Sequence, residues 1–337
     1  MKNVAIIIPC RNEKKYIEQC VLSVLNSNYP LELINIYVCD GKSDDGTVEI
    51  IKELEKKHNQ VHLLVNEKTT TPFALNIGIK SDNSEVKIIL GAHAEIDPNF
   101  IKENVIVLQE NESVGCSGGV IKNIYENKTS EIIGIAMSSS FGVGNAHFRT
   151  GNKDGFVDTV AFGAYKNKIF EKVGYFDEEL ARNQDDEFNF RLIKNGYKIY
   201  LSKKIKSSYY VRASFKKLFK QYYQYGYWKV YVNKKHRTIT TLRQLIPSFF
   251  IASLFAGIVL SFVHWLFTFL LIVEITMYLS GCLFFAIKKT KKLDQVMPVI
   301  LTFFILHTGY GLGYLLGAIE FIVFRGNPAK KNQQLTR

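Results

Sequence analysis

Apolar and polar residues follow two different patterns along the chain. Up to about Arg243, short apolar runs alternate with polar segments, as in a folded globular domain. Residues 245–287 are almost continuously apolar, and so are residues 296–324. This division predicts an N-terminal globular domain followed by helices that cross a membrane.

The globular part alternates between predicted strands and predicted helices. Strands are expected at residues 4–8, 34–39, 61–65 and 86–90, and helices at residues 15–26, 48–57 and 72–80. Residues 4–8 are apolar at every position, which is typical of a strand buried on both faces of a parallel sheet. The alternation predicts an α/β fold with a Rossmann-like, mostly parallel sheet.

The apolar part is long enough for two or three membrane spans. A bilayer core needs about 20 apolar residues per helix, so we expect spans at about residues 245–264 and 267–287. Residues 296–323 form either a third span or a re-entrant or interfacial segment, because they are too few for two spans.

Basic residues on both sides of the first two spans predict their orientation. Lys234, Lys235 and Arg243 precede the first span, and Lys288 and further lysines follow the second. By the positive-inside rule both flanks face the cytoplasm, and the turn near His264 faces outside. We therefore expect a multi-pass protein of the cytoplasmic membrane, with a cytoplasmic domain at 1–243, a membrane region at 244–325 and a basic tail at 326–337.

Charge and cysteine content narrow the choice of partners. The formal net charge is +12, but much of the excess lies beside the predicted spans, where anionic lipid head groups attract it. Nucleic acid is therefore not an expected partner. The five cysteines are scattered without metal-ligand spacing, which is typical of a reducing compartment and argues against a zinc site. The apolar run at 4–8 is too short for a secretory signal.

Polar residues follow each predicted strand. Ligands of α/β sheets bind at the carboxyl ends of the strands, and those ends carry Arg11, Glu13, Asp40, Asp44 and His93. Ordinary turn chemistry is the alternative for each loop taken alone. The chain has neither a Gly-x-Gly-x-x-Gly motif after the first strand nor a P-loop, which argues against dinucleotide-dependent oxidoreductases and P-loop enzymes. The Asp40 carboxylate is suited to accept hydrogen bonds from a nucleotide.

An acidic segment at residues 176–191 is the strongest candidate for catalysis. Asp185, Asp186 and Glu187 stand directly before a helical pattern. One of them is a candidate general base, and the alternative is that they only stabilise the start of the helix. Glu187 and Arg191 are four residues apart, so they are expected to pair.

An ordered series of motifs closely resembles the family 2 glycosyltransferases, which have the GT-A fold. The matching segments are residues 6–13, 40–47, 71–78, 91–94, 163–166, 174–178, 182–187 and 224–228. The resemblance covers residues 1 to about 245 and much of the apolar tail. Segments 141–145 and 182–187 are particularly similar to the succinoglycan-biosynthesis type of membrane glucosyltransferase.

The resemblance implies an inverting transfer of a sugar from a nucleotide diphosphate sugar, expected to be a UDP-sugar, to an acceptor hydroxyl. The family's acidic motif is Glu-Asp-x-Asp, so Gln184 stands at the Glu position and Asp185 at that of the general base. The implied nucleotide-sugar pocket contains Pro9, Arg11, Glu13, Asp40, Asp44 (or Asp45), Asn76 and Ala92. The implied acceptor and product site contains Asp186, Glu187, Gln224, Tyr227 and Trp228, with Tyr227 in place of the family's Arg.

The implied metal site departs from the family pattern. The family usually has Asp-x-Asp after the fourth strand to bind Mg²⁺ or Mn²⁺, whereas this chain has Gly91, Ala92 and His93. A divalent cation is still the expected cofactor. Because imidazole suits transition metals better than Mg²⁺, His93 is expected to favour Mn²⁺ or to hydrogen-bond a phosphate directly. Glu95 and Asp97 are further candidate ligands, and a structural histidine is the alternative.

Residues 214–236 mix aromatic residues with lysines just before the first span. This composition predicts an amphipathic helix in the head-group layer, along which a lipid-linked acceptor reaches the site. Three functions remain open: transfer to a polyprenyl-linked saccharide for a surface polysaccharide, charging of a polyprenyl phosphate itself, or a non-catalytic membrane scaffold. Glu274, His307 and Glu320 lie inside apolar stretches, as functional or bundle-facing groups.

Overall fold

The computed structural model describes residues 1–144, 146–151, 153–240 and 242–328, which form two compact units. The first unit contains residues 1–124 and 146–210, and the second contains residues 125–144 and 211–328. Contacts therefore divide the described chain near residue 211, and the predicted boundary near Arg243 stays a prediction. Most of the predicted basic tail, from residue 329 onward, lies outside the described residues.

The first unit is built on one mixed sheet. Its strands are β1 (Val4–Cys10), β2 (Ile34–Asp40), β3 (Val61–Val65), β4 (Val86–Ile89), β5 (Ala94–Ile96), β6 (Val114–Ile124), β7 (Gly155–Val157), β8 (Ala161–Lys166) and β9 (Lys198–Tyr210). Their order is β3-β2-β1-β4-β8-β6-β9-β5, with β7 paired to β9.

The first four strands are parallel, as predicted. β1 pairs with β2 and β4, and β2 pairs with β3, all in the parallel sense. Ile6 and Ile8 of β1 belong to the core on one face of the sheet, and Ala5 and Ile7 belong to the core on the other. Residues 4–8 are therefore apolar at every position because β1 is buried on both faces of the sheet, as predicted.

The later strands make the sheet mixed. β8 is antiparallel to both β4 and β6, and β5 and β7 are antiparallel to β9. Because β8 runs opposite to β4, its first residues lie at the edge where β4 ends; a Cβ on Gly91 would lie 3.2 Å from the Phe162 ring. This edge holds the candidate site.

Helices cover both faces of the sheet. They are α1 (Ile17–Leu25), α2 (Thr47–Lys57), α3 (Thr71–Lys80), α4 (Phe100–Glu110), α7 (His147–Thr150), α8 (Lys168–Val173) and α9 (Gln184–Lys194). The three helices predicted in the first 80 residues are present within two residues of their expected limits. The acidic segment begins α9, so its helical pattern is also confirmed.

The second unit is entirely helical in its described residues. Its helices are α5 (Lys128–Met137), α6 (Ser140–Val143), α10 (Phe215–His236), α11 (Ile246–Ser261), α12 (Trp265–Lys289) and α13 (Val296–Ala318), the last continuing through Ile319–Val323. Three segments, Leu242–Ser261, Trp265–Lys289 and Leu293–Val323, are long and apolar enough to cross a membrane. The predicted turn at His264 is present, and Nδ1 of His264 accepts the Leu266 N–H at 3.2 Å.

The third apolar segment is one continuous helix packed along α10. The described residues of this segment contain no turn. Its place in a membrane, as a span or as a re-entrant or interfacial segment, stays a prediction. Three glycines of α13 lie against the α10 backbone: a Cβ on Gly309, Gly313 or Gly317 would approach the carbonyl oxygens of Phe219, Tyr223 and Tyr227 to 3.1, 2.0 and 2.8 Å. Two helix backbones can come this close because glycine has no side chain to keep them apart.

Close packing buries two aromatic rings of α10. The limits of this helix agree with the predicted helix at 214–236. The Tyr227 and Trp228 rings are fully buried, and Tyr227 packs edge-on against Phe321 of the same unit, with ring centroids 4.8 Å apart. These two rings are thus covered by protein, and the position of the helix in the head-group layer stays a prediction.

Residues 125–144 join the second unit through specific polar contacts. Gln295 donates to Glu131 at 3.0 Å, and Nε2 of His307 lies 2.8 Å from the Phe141 carbonyl oxygen. The other ring nitrogen of His307 lies 3.0 Å from the Tyr278 hydroxyl. Of the alternatives for His307, the structure supports a bundle-facing residue that holds α6, α12 and α13 together.

Candidate active site

The loops after β1 and β2 are tied together by hydrogen bonds. The Asn12 N–H donates to Ser43 Oγ at 2.8 Å, and the Asp44 N–H donates to Asn12 Oδ1 at 3.0 Å. The Glu13 N–H donates to Thr47 Oγ1 at 2.9 Å. These bonds make a single polar rim from two loops that are about 30 residues apart in sequence.

Asp40 is held at the base of this rim. It ends β2, and its side chain is 4 % exposed. Its carboxylate accepts the Ser43 N–H at 2.9 Å and the Ser43 hydroxyl at 2.5 Å. Because a carboxylate has about four acceptor positions, Asp40 keeps capacity for a further donor in a fixed orientation. Ser43 is not among the predicted pocket residues, although its spacing three residues after Asp40 is a turn signal.

The structure separates Asp44 from Asp45. Asp45 accepts from the Thr47 N–H and hydroxyl at 3.0 and 2.5 Å and from the Lys14 N–H at 3.1 Å, so it organises the loop. Burial acts to raise the pKa of Asp45, but these hydrogen bonds outweigh it and lower the pKa below its usual value. Asp44 is exposed. Of the two, Asp44 is therefore the carboxylate that is open to a ligand.

His93 lies beside Glu13 at the same edge. Its Nδ1 is 3.8 Å from Glu13 Oε1, and the Glu13 side chain is 5 % exposed. The His93 ring packs edge-on against Tyr209 of β9, with centroids 4.9 Å apart. Ala92 is buried next to it. Three residues of the predicted nucleotide-sugar pocket, Glu13, Asp40 and Ala92, thus lie along the same edge of the sheet as His93, the predicted metal ligand.

The side chains at this edge offer few ligands for a divalent cation. Among the described residues there is no group of three or more His, Cys, Asp or Glu side chains that could hold a metal ion. Glu95 accepts the Tyr210 hydroxyl at 2.5 Å, and Asp97 accepts the Asn99 N–H at 3.0 Å, so both candidate ligands have structural partners. The remaining pair, Glu13 and His93, suits a transition metal but needs further ligands from the donor.

Three loops at this edge contain residues in the left-handed region of the backbone. Asn12, Lys42 and Thr69 follow β1, β2 and β3 and have φ values of 55°, 60° and 59°. A β-branched residue such as Thr69 rarely adopts this conformation, which costs of order 1–3 kcal/mol. Such strain is typical of loops whose shape is fixed for binding.

Asp185 is exposed in the first turn of α9. Phe188 and Leu192, one and two turns further on, are buried in the core of the first unit and fix the helix. Asn189 links the helix to β8 through the Tyr165 hydroxyl at 3.3 Å and to Thr159 at 3.2 Å. Burial raises the pKa of Tyr165 well above its usual value, and the negative charge of Asp185 adds to this effect. The result is an accessible carboxylate on a rigid support.

Glu187 has a different role from Asp185. It is 2 % exposed and accepts from Arg191 Nε at 2.7 Å and Nη2 at 2.9 Å, so the expected pair is present. Both oxygens are engaged, and the structure gives Glu187 the role of Arg191's partner instead of an open acceptor-site group. Asp186 is half-buried on the same turn, where its N–H donates to Asp185 Oδ1 at 2.9 Å.

Asn76 departs from its predicted role. Its amide donates to the Phe176 carbonyl and to Glu178, both at 2.9 Å, and accepts the Phe176 N–H at 3.0 Å. Because it is buried and both amide hydrogens are used, Asn76 joins α3 to the loop before α9 instead of facing a ligand.

The remaining predicted residues are found in both units. Pro9 is half-buried in β1 and Arg11 is exposed in the loop after it. Gln224, Tyr227 and Trp228 lie in the second unit, where all three are buried on α10. Sequence reasoning missed Arg149 and Tyr209, which pack on each other near His93, because no local motif marks either residue.

Comparison with known proteins gives a family and a fold. The profile described as Glycosyl transferase family 2 matches residues 5–174. The chain is 34% identical over 328 residues to the dolichyl N-acetyl-alpha-D-glucosaminyl phosphate 3-beta-D-2,3-diacetamido-2,3-dideoxy-beta-D-glucuronosyltransferase of Methanococcus voltae, covering 95% of this chain and 98% of that protein. It is 28% identical over 282 residues to succinoglycan biosynthesis protein ExoA of Rhizobium meliloti (strain 1021), covering 82% of this chain and 83% of that protein. The predicted resemblance to the succinoglycan branch is confirmed.

A solved structure shares the fold over most of the chain. It is a mannosyltransferase from Pyrobaculum calidifontis in complex with GDP-Man and Mn²⁺, with a TM-score of 0.50. The match covers 98% of this chain and 77% of that chain at 16% sequence identity, so it shows a common fold.

Proposed function

The chain belongs to glycosyl transferase family 2 and is a glycosyltransferase with the predicted GT-A fold, and on this premise we propose that it transfers a sugar from a nucleoside diphosphate sugar, a UDP-sugar, to a hydroxyl of a lipid-linked saccharide. The observation that carries the proposal is the exposed carboxylate of Asp185 on helix α9, whose Phe188 and Leu192 are anchored in the core. The glycan made is one for the cell surface.

The acceptor is inferred from the relatives. The name of the Methanococcus voltae relative specifies a dolichyl phosphate that already carries a sugar, and the identity extends across the apolar helices as well as the first unit. This favours a lipid-linked saccharide over an uncharged polyprenyl phosphate. A non-catalytic scaffold is disfavoured by the family membership together with the exposed Asp185.

In the proposed reaction Asp185 is the general base. Its carboxylate takes the proton of the acceptor hydroxyl as the hydroxyl oxygen attacks the anomeric carbon of the donor sugar. The bond between that carbon and the diphosphate oxygen breaks on the opposite face, so the configuration inverts. Asp185 then carries the proton, and the nucleoside diphosphate leaves with the bonding electron pair.

The polar rim formed by the loops after β1 and β2 would bind the nucleotide-sugar donor. Asp40 and Asp44 would accept hydrogen bonds from the nucleoside, next to Pro9 and Arg11. Glu13 and His93 would hold a divalent cation, Mn²⁺ in preference to Mg²⁺, with the donor's oxygens completing its coordination. When bound, the cation would supply positive charge to the diphosphate. Gln224, Tyr227 and Trp228, with Asp186, would belong to the acceptor side.

The membrane arrangement is part of the proposal. The three apolar helices would place the protein in the cytoplasmic membrane as a multi-pass protein. Basic residues before α11 and after α12 would keep the first unit in the cytoplasm. There the site would meet both the soluble donor and a lipid-linked acceptor.

A donor and acceptor screen with the purified full chain tests this function. Nucleoside diphosphate release is measured for UDP- and GDP-sugars, with a polyprenyl-diphosphate sugar or a polyprenyl phosphate as acceptor, with Mn²⁺, Mg²⁺ or excess chelator. Release that requires the saccharide-bearing lipid supports the proposal. Equal release with polyprenyl phosphate alone would move the function to charging of the carrier.

A further inference from the structure

One nitrogen of the half-buried Arg149 side chain, at the edge of the candidate site, is buried without an acceptor. Nη1 of Arg149 is buried and has no hydrogen-bond partner among the residues that the structure describes. Leaving a buried donor unpaired costs about 1–3 kcal/mol, and more when the donor is charged. Such a group in a native structure calls for an acceptor, and the residues that the structure describes do not provide one.

The position of Arg149 indicates where that acceptor would lie. Its guanidinium carbon is 5.4 Å from the centre of the Tyr209 ring, and the ring of His93 is 4.9 Å from the same centre. The Arg149 and His93 side chains therefore lie within about 10 Å of each other, around a shared aromatic ring. In the sheet Tyr209 pairs with Ala94, which is the residue that follows His93 in the chain.

Stacking alone does not explain this arginine. The guanidinium also lies 5.4 Å from the Phe148 ring centre, so two aromatic rings hold it in place. Cation–π contacts use the faces of the group, whereas its N–H donors point outward in its plane. The two rings thus hold the guanidinium in place, while its in-plane N–H groups are oriented to donate to an anion. Arg recognises phosphate through such in-plane donors.

We infer that Arg149 is a diphosphate-binding residue, which neutralises the nucleoside diphosphate beside His93. The inference rests on the proposed donor class. The ligand is identified by its chemistry, a diphosphate whose oxygens supply the missing acceptor. The anionic charge that develops as the glycosidic bond breaks resides on this group, so a fixed guanidinium stabilises the leaving group as well as the bound donor.

The test compares nucleotide binding by the full chain in detergent, measured by calorimetry in chelator and again with Mn²⁺. UDP and UMP are the probes, with GDP and GMP in a parallel series. Arg149→Met removes the charge, and Arg149→Lys keeps the charge without the planar fork. Lys198→Met is the matched control, because Lys198 also stacks on an aromatic ring, that of Phe156, 4.7 Å away.

Arg149→Met is expected to weaken UDP binding about 10- to 100-fold, as for loss of one charged hydrogen-bonding group. UMP binding is expected to change much less, Arg149→Lys to be intermediate, and Lys198→Met to bind like the wild type. Equal weakening of UDP and UMP, or no weakening, overturns the inference. If the wild type binds neither UDP nor GDP, the proposed donor class itself is overturned. Unfolding midpoints show whether each variant folds. If Arg149→Met does not fold, the UDP and UMP affinities of Arg149→Lys decide the outcome.

Discussion

Arg191 donates to both carboxylate oxygens of Glu187, at 2.7 and 2.9 Å. Two more of its N–H groups donate to the carbonyl oxygens of Val173 and Tyr175 at 2.6 and 2.7 Å. One side chain therefore fixes the start of α9 to the segment that follows α8. Asp185 is only two residues before Glu187, so the orientation of the proposed base depends on this ion pair.

Arg191→Met should destabilise the protein by about 3 kcal/mol, because it leaves the buried Glu187 charge without a partner. The double variant Arg191→Met with Glu187→Gln should recover part of that loss, since the uncompensated charge is gone. Thermal unfolding in detergent measures both, with the exposed Lys194→Met as the control. A double variant no more stable than Arg191→Met would contradict the charge explanation.

Asp185→Asn should lower kcat by about 10²- to 10⁴-fold, the usual range for loss of a general base. Donor affinity should stay within a factor of two or so, because the proposed role is proton transfer. Glu171→Gln, which neutralises an exposed carboxylate in the first turn of α8, is the control and should retain most activity. If a folded Asp185→Asn protein transfers sugar at the wild-type rate, Asp185 is not the base.

Asp45 should contribute to the pH dependence of stability. The pKa of Asp45 is lowered in the folded state, so its contribution is fully present above the unfolded value of about 3.9 and is lost as the pH falls through the folded value. The difference in unfolding midpoint between wild type and Asp45→Asn should thus be constant from pH 5 to 8 and shrink below about pH 4. A difference that grows as the pH falls would mean that folding does not lower the pKa of Asp45.

Asp82 and Lys87 form a buried ion pair away from the candidate site. The Lys87 side chain is fully buried, and Asp82 also accepts from Tyr37 and Ser84. Asp82→Asn should cost about 3–5 kcal/mol, because it strands a buried ammonium group. Glu85→Gln removes the partner of the exposed Lys2 and should cost at most about 1 kcal/mol. Similar losses for both variants would mean that burial does not set the strength of these pairs.

Gly313→Ala should separate α10 from α13. The added Cβ would lie 2.0 Å from the Tyr223 carbonyl oxygen, and backbone cannot move aside as a side chain can. We expect a loss of at least about 1–3 kcal/mol, seen as a lower unfolding midpoint and lower yield. Gly257→Ala is the control, since its Cβ would meet only the end of the Leu271 side chain, at 3.0 Å. A Gly313→Ala protein as stable as this control would show that the close approach is not required.

The sequence by itself determined the local structure and the family. Periodicity is a property of neighbouring residues, so the first strands and helices, the parallel order of the first four strands and the apolar helices were all predictable. The ordered motifs similarly indicated the glycosyltransferase family before any tertiary contact was known. The spacing of Glu187 and Arg191 was sufficient to predict their pair, because four residues is one turn of a helix.

Only the tertiary structure decided which polar groups are used up by distant partners. Asn76 is occupied by residues about 100 positions away, and Tyr227 packs on Phe321 near the other end of the chain. The unit to which residues 125–144 and α10 belong was also decided there, by glycine-mediated backbone contacts and by the His307 hydrogen bond. A local motif specifies a side chain and its backbone, but whether its hydrogen-bonding capacity remains free depends on groups that folding brings next to it.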